Sequence, residues 1–184
     1  MIDLRAMSHR EAGRGGRHEE IYGDPGLPRF VVWRLAPGLL AGRNPLSERD
    51  VSDLAAEGVT HVLDLREEAE WAGRGRHGGE ALAALAARRI ERKHVPVGDF
   101  SPPSAEDFAT ACDWLDEVAS LPGTVVFAHC RAGLQRTPTV LAAWLARREG
   151  IDFDAALERL KLDGYPGEPI SDQRAAALDW LRSL

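Results

Sequence analysis

The chain has 184 residues, 44% of them hydrophobic and 28% charged, with a formal net charge of −6. That length supports a buried core without disulfides or structural metal, and the two cysteines, Cys112 and Cys130, are too few for a disulfide framework or a zinc cluster. The acidic balance argues against a nucleic-acid or anionic-membrane surface, no apolar run approaches membrane-spanning length, and the N-terminus has no apolar signal core.

Residues 1–28 mix Gly, Arg, His and Glu with almost no apolar periodicity and read as a flexible arm, while residues 29–184 read as one domain. Residues 30–35 predict a strand and residues 38–45 a strand and turn. Ser47 caps a predicted helix that runs through Glu57 and ends at Gly58. Residues 59–65 predict a buried strand. A Gly- and Arg-rich loop over 73–79 precedes an Ala-rich helix ending near Arg89, and residues 91–97 give the next strand. Ser104 starts a helix reaching Ser120, with Asp107 completing a Ser-x-x-Asp capping box. Residues 125–129 form the expected central strand, followed by helices over 137–150, 154–162 and 171–184. Strands alternating with helices imply an α/β fold with a mostly parallel central sheet flanked by helices.

The densest chemistry lies between residues 125 and 144, VVFAHCRAGLQRTPTVLAAW. An apolar, β-branched run ends at His129 and Cys130; a short loop with Gly133 follows; then Arg136 and Thr137 open an apolar helical pattern. A strand–loop–helix of this kind can wrap backbone N–H groups around an anion and aim the positive helix N-terminus at it. The field that attracts phosphate also stabilises a thiolate, so a nucleophile and a phosphate cradle coincide. Arg136 offers a planar fork of donors for two phosphate oxygens, and Gly133 permits a backbone approach that a side chain would obstruct. This reads as the active site of a cysteine-dependent phosphatase, in the crevice at the carboxyl end of the central strand.

The run His129, Cys130, Arg131, Ala132, Gly133, Leu134, Gln135, Arg136, Thr137 resembles the phosphate-binding loop of the protein tyrosine and dual-specificity phosphatase superfamily. The resemblance implies that Cys130 is the nucleophile, that Arg131, Ala132, Gly133, Leu134, Gln135 and Arg136 bind the phosphate, and that the Thr137 hydroxyl helps the thiolate leave. It also implies that His129 is buried and supports the loop backbone rather than reacting. Pro138 stands where that family usually has a small residue; in the first helical turn its missing N–H costs nothing, though it stiffens the loop.

Upstream, VPVGDFSPP places Asp99 on a Pro-rich loop after a strand and one helix before the cysteine, where the family carries its general acid. Asp99 would protonate the leaving alcohol and then activate water. The charged run Asp64, Arg66, Glu67, Glu68, Glu70 could include a partner that orients Arg136, but a solvated helix start is the preferred account. Gln173 belongs to a helix N-terminus capped by Ser171 rather than to water placement, and Cys112 packs in the core rather than serving as a resolving thiol. Residues 73–79 suit a lid over the pocket or a plain connector.

A short chain with no aromatic phosphotyrosine-recognition segment favours the small dual-specificity type, acting on phosphoprotein or a small phosphomonoester without cofactor or metal. A phosphoinositide or inositol phosphate is the alternative substrate; Arg131 is the one basic residue inside the loop that favours it. A rhodanese-like sulfurtransferase, an arsenate reducer and a silent phospho-binding module are the remaining alternatives. The Arg- and Ala-rich, Lys-poor composition is associated with GC-rich bacterial genomes, and a thiolate enzyme suits a reducing cytoplasm.

Overall fold

Parallel strands cannot be joined by tight turns, so a chain that alternates short apolar runs with helical patterns has to cross over through its helices. The computed structural model describes Ile2, residues 30–72 and residues 77–184. Its sheet has five strands, β1 (Val32–Ala36), β2 (Leu39–Gly42), β3 (His61–Asp64), β4 (Glu91–His94) and β5 (Val126–His129), in the order β1-β2-β5-β3-β4. The β1–β2 hairpin is antiparallel, and the other neighbours are parallel. Seven helices are described: α1 (Glu48–Ala56), α2 (Glu68–Ala72), α3 (His77–Ala87), α4 (Ala105–Ala119), α5 (Arg136–Glu149), α6 (Phe153–Lys161) and α7 (Ser171–Arg182). Among the described residues no helix is long and apolar enough to cross a membrane.

Successive strand residues face opposite sides of a sheet, and here each side has its own core. Leu39, Ala41, Leu63, Val126 and Ala128 join the cluster built with α4, α5, α6 and α7. Leu40, Val62 and Phe127 join the cluster built with α1 and α3. Helix α5 is the most enclosed, with every residue from Arg136 through Ala146 buried, and it ends on Gly150 in the left-handed conformation at φ +65°.

The capping boxes of α1 (Ser47 with Asp50) and α4 (Ser104 with Asp107) are both formed. Two local readings change. The N-cap position of α7 is Ile170, without a side-chain cap bond, so Ser171 is the first helical residue rather than the cap. Helix α3 begins at His77 and takes in Gly78 and Gly79, so the expected loop over 73–79 is shorter; burial of Ala81, Ala84 and Leu85 outweighs the poor helix propensity of the glycines. Residues 73–76 lie outside the described residues. Within residues 1–28, read as an arm, the described residue is Ile2, which is buried and donates its N–H to Ala119 O at 3.1 Å.

The register aligns Gly42, His129, Asp64 and His94 in one row across the carboxyl ends of the parallel strands. Burial raises the pKa of the Asp64 carboxyl, but the His129 ring and the guanidinium groups of Arg66 and Arg92 outweigh it and hold the value at about 2. Burial pushes the His129 ring down to about 4, against the pull of Asp64. The ring is therefore neutral, with Nδ1–H donating to Cys130 O at 3.1 Å.

The pH dependence follows. Between pH 6.5 and 4 the unfolded chain protonates His129 and the folded chain does not; between about 4 and 2 the Asp64 carboxylate is lost. Stability measured by urea unfolding falls as pH falls through both windows, by about 3 kcal/mol in the upper and about 2 kcal/mol in the lower at 1.36 kcal/mol per pKa unit. His129→Gln flattens the upper window and narrows the lower one, because the ring is among the groups that hold the Asp64 carboxyl down.

Candidate active site

At the end of β5 the chain leaves the sheet at Cys130, curls through residues 131–135 and enters α5 at Arg136. Gly133 makes the curl: its φ is +76°, and a Cβ there would lie 2.2 Å from Gly42 O. The Gly133 carbonyl accepts from the buried Tyr165 hydroxyl, and the Tyr165 ring packs at 5.3 Å on Trp33. On the other side of the curl, Asn44 N donates to Arg131 O at 3.3 Å. With its amide oriented so that Nδ2 meets Arg131 O at 2.6 Å, Asn44 Oδ1 accepts from Arg66 Nη1 at 2.7 Å.

Cys130 is 3% exposed. Burial raises its thiol pKa, but the Thr137 hydroxyl, the Arg136 charge and the N–H groups of Thr137 and Gly133 outweigh it, so the pKa lies below the ordinary 9.0. Thr137 Oγ1 is buried with no oxygen or nitrogen partner among the described residues, which leaves the neighbouring sulfur as the group its proton can serve. Cys112 is the opposite case: packed in the core, its thiol is pushed up to about 12 by burial.

The Arg136 guanidinium is buried, with both Nη atoms engaged. Nη1 and Nη2 meet the two carboxylate oxygens of Glu70 at 2.6 and 2.9 Å; Nη1 also donates to Val97 O at 2.7 Å, and Nη2 to Asp99 Oδ1 at 3.1 Å. Burial opposes the charge, yet the bonds to Glu70 and the negative groups around it raise the Arg136 pKa. This corrects the reading of residues 64–70 as a solvated helix start: Glu70, 66 residues away in sequence, orients Arg136, and Asp64 and Arg66 are buried beneath the site. Glu70 is itself held below the ordinary carboxylate range, despite its burial, by the bond from Arg136.

Asp99 lies at the mouth, its side chain 30% exposed, between Arg136 and Arg131; Arg131 Nη1 reaches its Oδ2 at 3.3 Å. Phe100, the next residue, is 65% exposed and adopts φ +60°, a conformation costing a bulky residue about 1–2 kcal/mol. A cleft of about 270 Å³ is lined by Asp99 and Phe100 on one side and by Cys130, Arg131, Ala132, Leu134, Gln135 and Arg136 on the other. Gly133 lies outside that lining and turns its N–H toward the sulfur.

The cleft thus gathers the sequence-selected Cys130, Arg136 and Asp99, with Thr137 and His129 behind them. Gln173 stands apart, its amide spent on Ser101 O and Thr139. Sequence reading set Glu70 aside and missed Asn44, Tyr165 and Phe100. The turn-like Gly-Arg-Asn-Pro stretch was a signal for Asn44; Tyr165 carried none.

Comparison with known proteins agrees with this fold. Human dual specificity protein phosphatase 26 is 29% identical over 132 residues, covering 71% of this chain and 56% of that protein, so the chain spans little more than half the relative's length. Dual specificity protein phosphatase 1-A of Xenopus laevis is 36% identical over 73 residues, 39% of this chain and 20% of that protein. The crystal structure of Tk-PTP in its active form superposes with a TM-score of 0.68 at 26% identity, covering 83% of this chain and 96% of that one. PTPMT1 superposes with the same TM-score of 0.68 at 21% identity, over 83% and 94% of the two chains, a likeness of fold. The family model described as "Tc-R-P: Polymorphic toxin system, DSP-PTPase phosphatase" matches residues 40–150. That span runs from β2 to the end of α5 and holds Glu70, Asp99, Cys130 and Arg136, and on it the chain belongs to the DSP-PTPase phosphatase family.

Proposed function

We propose that the chain is a cysteine-dependent phosphatase that hydrolyses phosphomonoesters on proteins, phosphotyrosine foremost and phosphoserine or phosphothreonine after it, through a phosphocysteine intermediate. The observation that carries this reading is the meeting of a pKa-lowered Cys130, the clamped Arg136 and Asp99 in one cleft. The N–H groups of residues 131–136 and the Arg136 fork take the phosphate oxygens. The Cys130 thiolate attacks phosphorus, the P–O bond breaks, and the leaving oxygen takes a proton from Asp99. Substrate phosphate replaces Asp99 as the anion on Arg136, which frees the carboxyl for that role. Water, giving its proton to Asp99, then attacks phosphorus, and the sulfur leaves with the Thr137 hydroxyl stabilising its charge.

The rim supports a single phosphate on an apolar or aromatic group. Phe100 and Leu134 are exposed beside the cleft, and Arg131 is committed to Asp99. A phosphoinositide or inositol phosphate is the second reading; PTPMT1 has been crystallised with PI(5)P, and Arg131 at the loop is the feature that favours it here. Asp99 on Arg136 supports phosphate hydrolysis over sulfur transfer, which needs no such acid. The intact trio supports turnover over mere phosphate binding. A reducing cytoplasm suits the thiolate.

Hydrolysis of para-nitrophenyl phosphate tests the reading: Cys130→Ser removes turnover to background while vanadate or phosphate still protects the protein against heat. Wild-type protein inert with its thiol reduced defeats it. Asp99→Asn slows phenyl phosphate, a poor leaving group, about 10²-fold or more, and para-nitrophenyl phosphate far less. Alkylation of Cys130 by iodoacetate, followed against pH, reports the thiolate directly. Its midpoint lies below that of a free cysteine, and Thr137→Val, which removes the hydroxyl but not the charge of Arg136, moves it upward.

A further inference from the structure

Asp99 sits in a four-residue turn closed by Ser101 N donating to Gly98 O at 3.0 Å, with Asp99 and Phe100 at its two central positions. A phenylalanine at φ +60° does not hold such a turn by local preference, and its ring, 65% exposed, gains little packing in return. The turn is therefore held from outside. At its start, Val97 N donates to Leu65 O at 3.2 Å and Val97 O accepts from Arg136 Nη1 at 2.7 Å. At its end, Ser101 O accepts from Gln173 Nε2 at 3.0 Å.

Gln173 is a fully buried residue in the first turn of α7. Only the amide nitrogen can face the Ser101 carbonyl, so Oε1 faces the other way, 3.3 Å from Thr139 Oγ1. The Thr139 hydroxyl lies one turn into α5, and its single proton is shared between Gln173 Oε1 and Gln135 O, in the anion loop itself, at 2.7 Å. Both polar ends of Gln173 thus reach segments that line the cleft, and neither serves its own helix. An amide alone among side chains of this length presents a donor at one end and an acceptor at the other; a glutamate would set oxygen against the Ser101 carbonyl, and a methionine would offer nothing.

We propose that Gln173 is a positioning residue that locks the acid turn to the anion loop, setting where Asp99 stands over a bound phosphate. It acts through Ser101 and touches neither substrate nor reacting atoms. The inference rests on the phosphatase reading above, with Asp99 as the acid. Its signature is selective: a turn that slips costs proton delivery to the leaving oxygen and spares attack by Cys130.

Gln173→Met keeps the volume and removes both polar ends. With para-nitrophenyl phosphate, whose leaving group needs little protonation, kcat/KM is expected to fall less than about twofold; with phenyl phosphate it falls about tenfold or more, a share of what a general acid supplies. In an Asp99→Asn background the same substitution adds no further leaving-group dependence, since the function it supports is already gone. Equal losses on both esters, or a loss that adds in full to that of Asp99→Asn, overturn the proposal. Where Gln173→Met does not fold, Gln173→Asn takes its place: one methylene shorter, it keeps an amide that falls short of Ser101, and the same selective loss is expected. A wild-type protein without turnover, or an Asp99→Asn variant that slows both esters equally, removes the reading beneath the proposal, whereas a selective Asp99→Asn beside an unselective Gln173→Met removes the proposal alone.

Discussion

A guanidinium taken out of water must be paired, and in this chain the pairing of Arg136 ties the molecule together. The desolvation penalty of a buried ion is several kcal/mol, so each partner of Arg136 is held as firmly as the cation needs it. Those partners come from separate connections: Glu70 from the helix after β3, Val97 and Asp99 from the segment after β4, and the cation itself from the start of α5. Loops that would otherwise drift over the end of the sheet are fixed at one point. The interaction that closes the fold over its sheet also lines the cleft beside Cys130.

Beneath that cation lies a second buried network. Asp64 accepts from Arg66 and Arg92, the Arg66 carbonyl accepts from His94 Nε2 at 2.6 Å, and Arg66 reaches Asn44, which holds the Arg131 carbonyl. The row of strand ends is thus an electrostatic floor. Burial suppresses protonation of His129, while opposite charge sustains the ionised Asp64. A protonated His129 would add a buried cation with one carboxylate already shared by two arginines.

Much of this was legible in one dimension because its causes are local. Caps at Ser47 and Ser104, the apolar runs of β3 and β5 and the Gly150 stop depend on residues a few positions apart. The cysteine loop is also local, a strand, a curl and a helix start in sequence order. What sequence could not rank was the value of Glu70, since a glutamate opening a helix has a sufficient local reason to be there and its partner lies 66 residues on. Tyr165 on Gly133, Asn44 on Arg131 and Gln173 on Ser101 are of the same kind. Each is a lone polar side chain whose purpose appears only when topology brings a distant carbonyl to it. The start of α3 differed for another reason: packing of its alanines overrode two glycines.

Helix α5, enclosed from Arg136 to Ala146, divides the site into unequal halves. The half built on the cysteine loop grows out of the most enclosed part of the molecule, so an anion arriving there meets a backbone already held in place. The half that holds Asp99 is a surface turn of a few residues, fastened by a handful of hydrogen bonds and crowned by an exposed ring. Substitutions on that turn are therefore tolerated by the fold more readily than substitutions in α5.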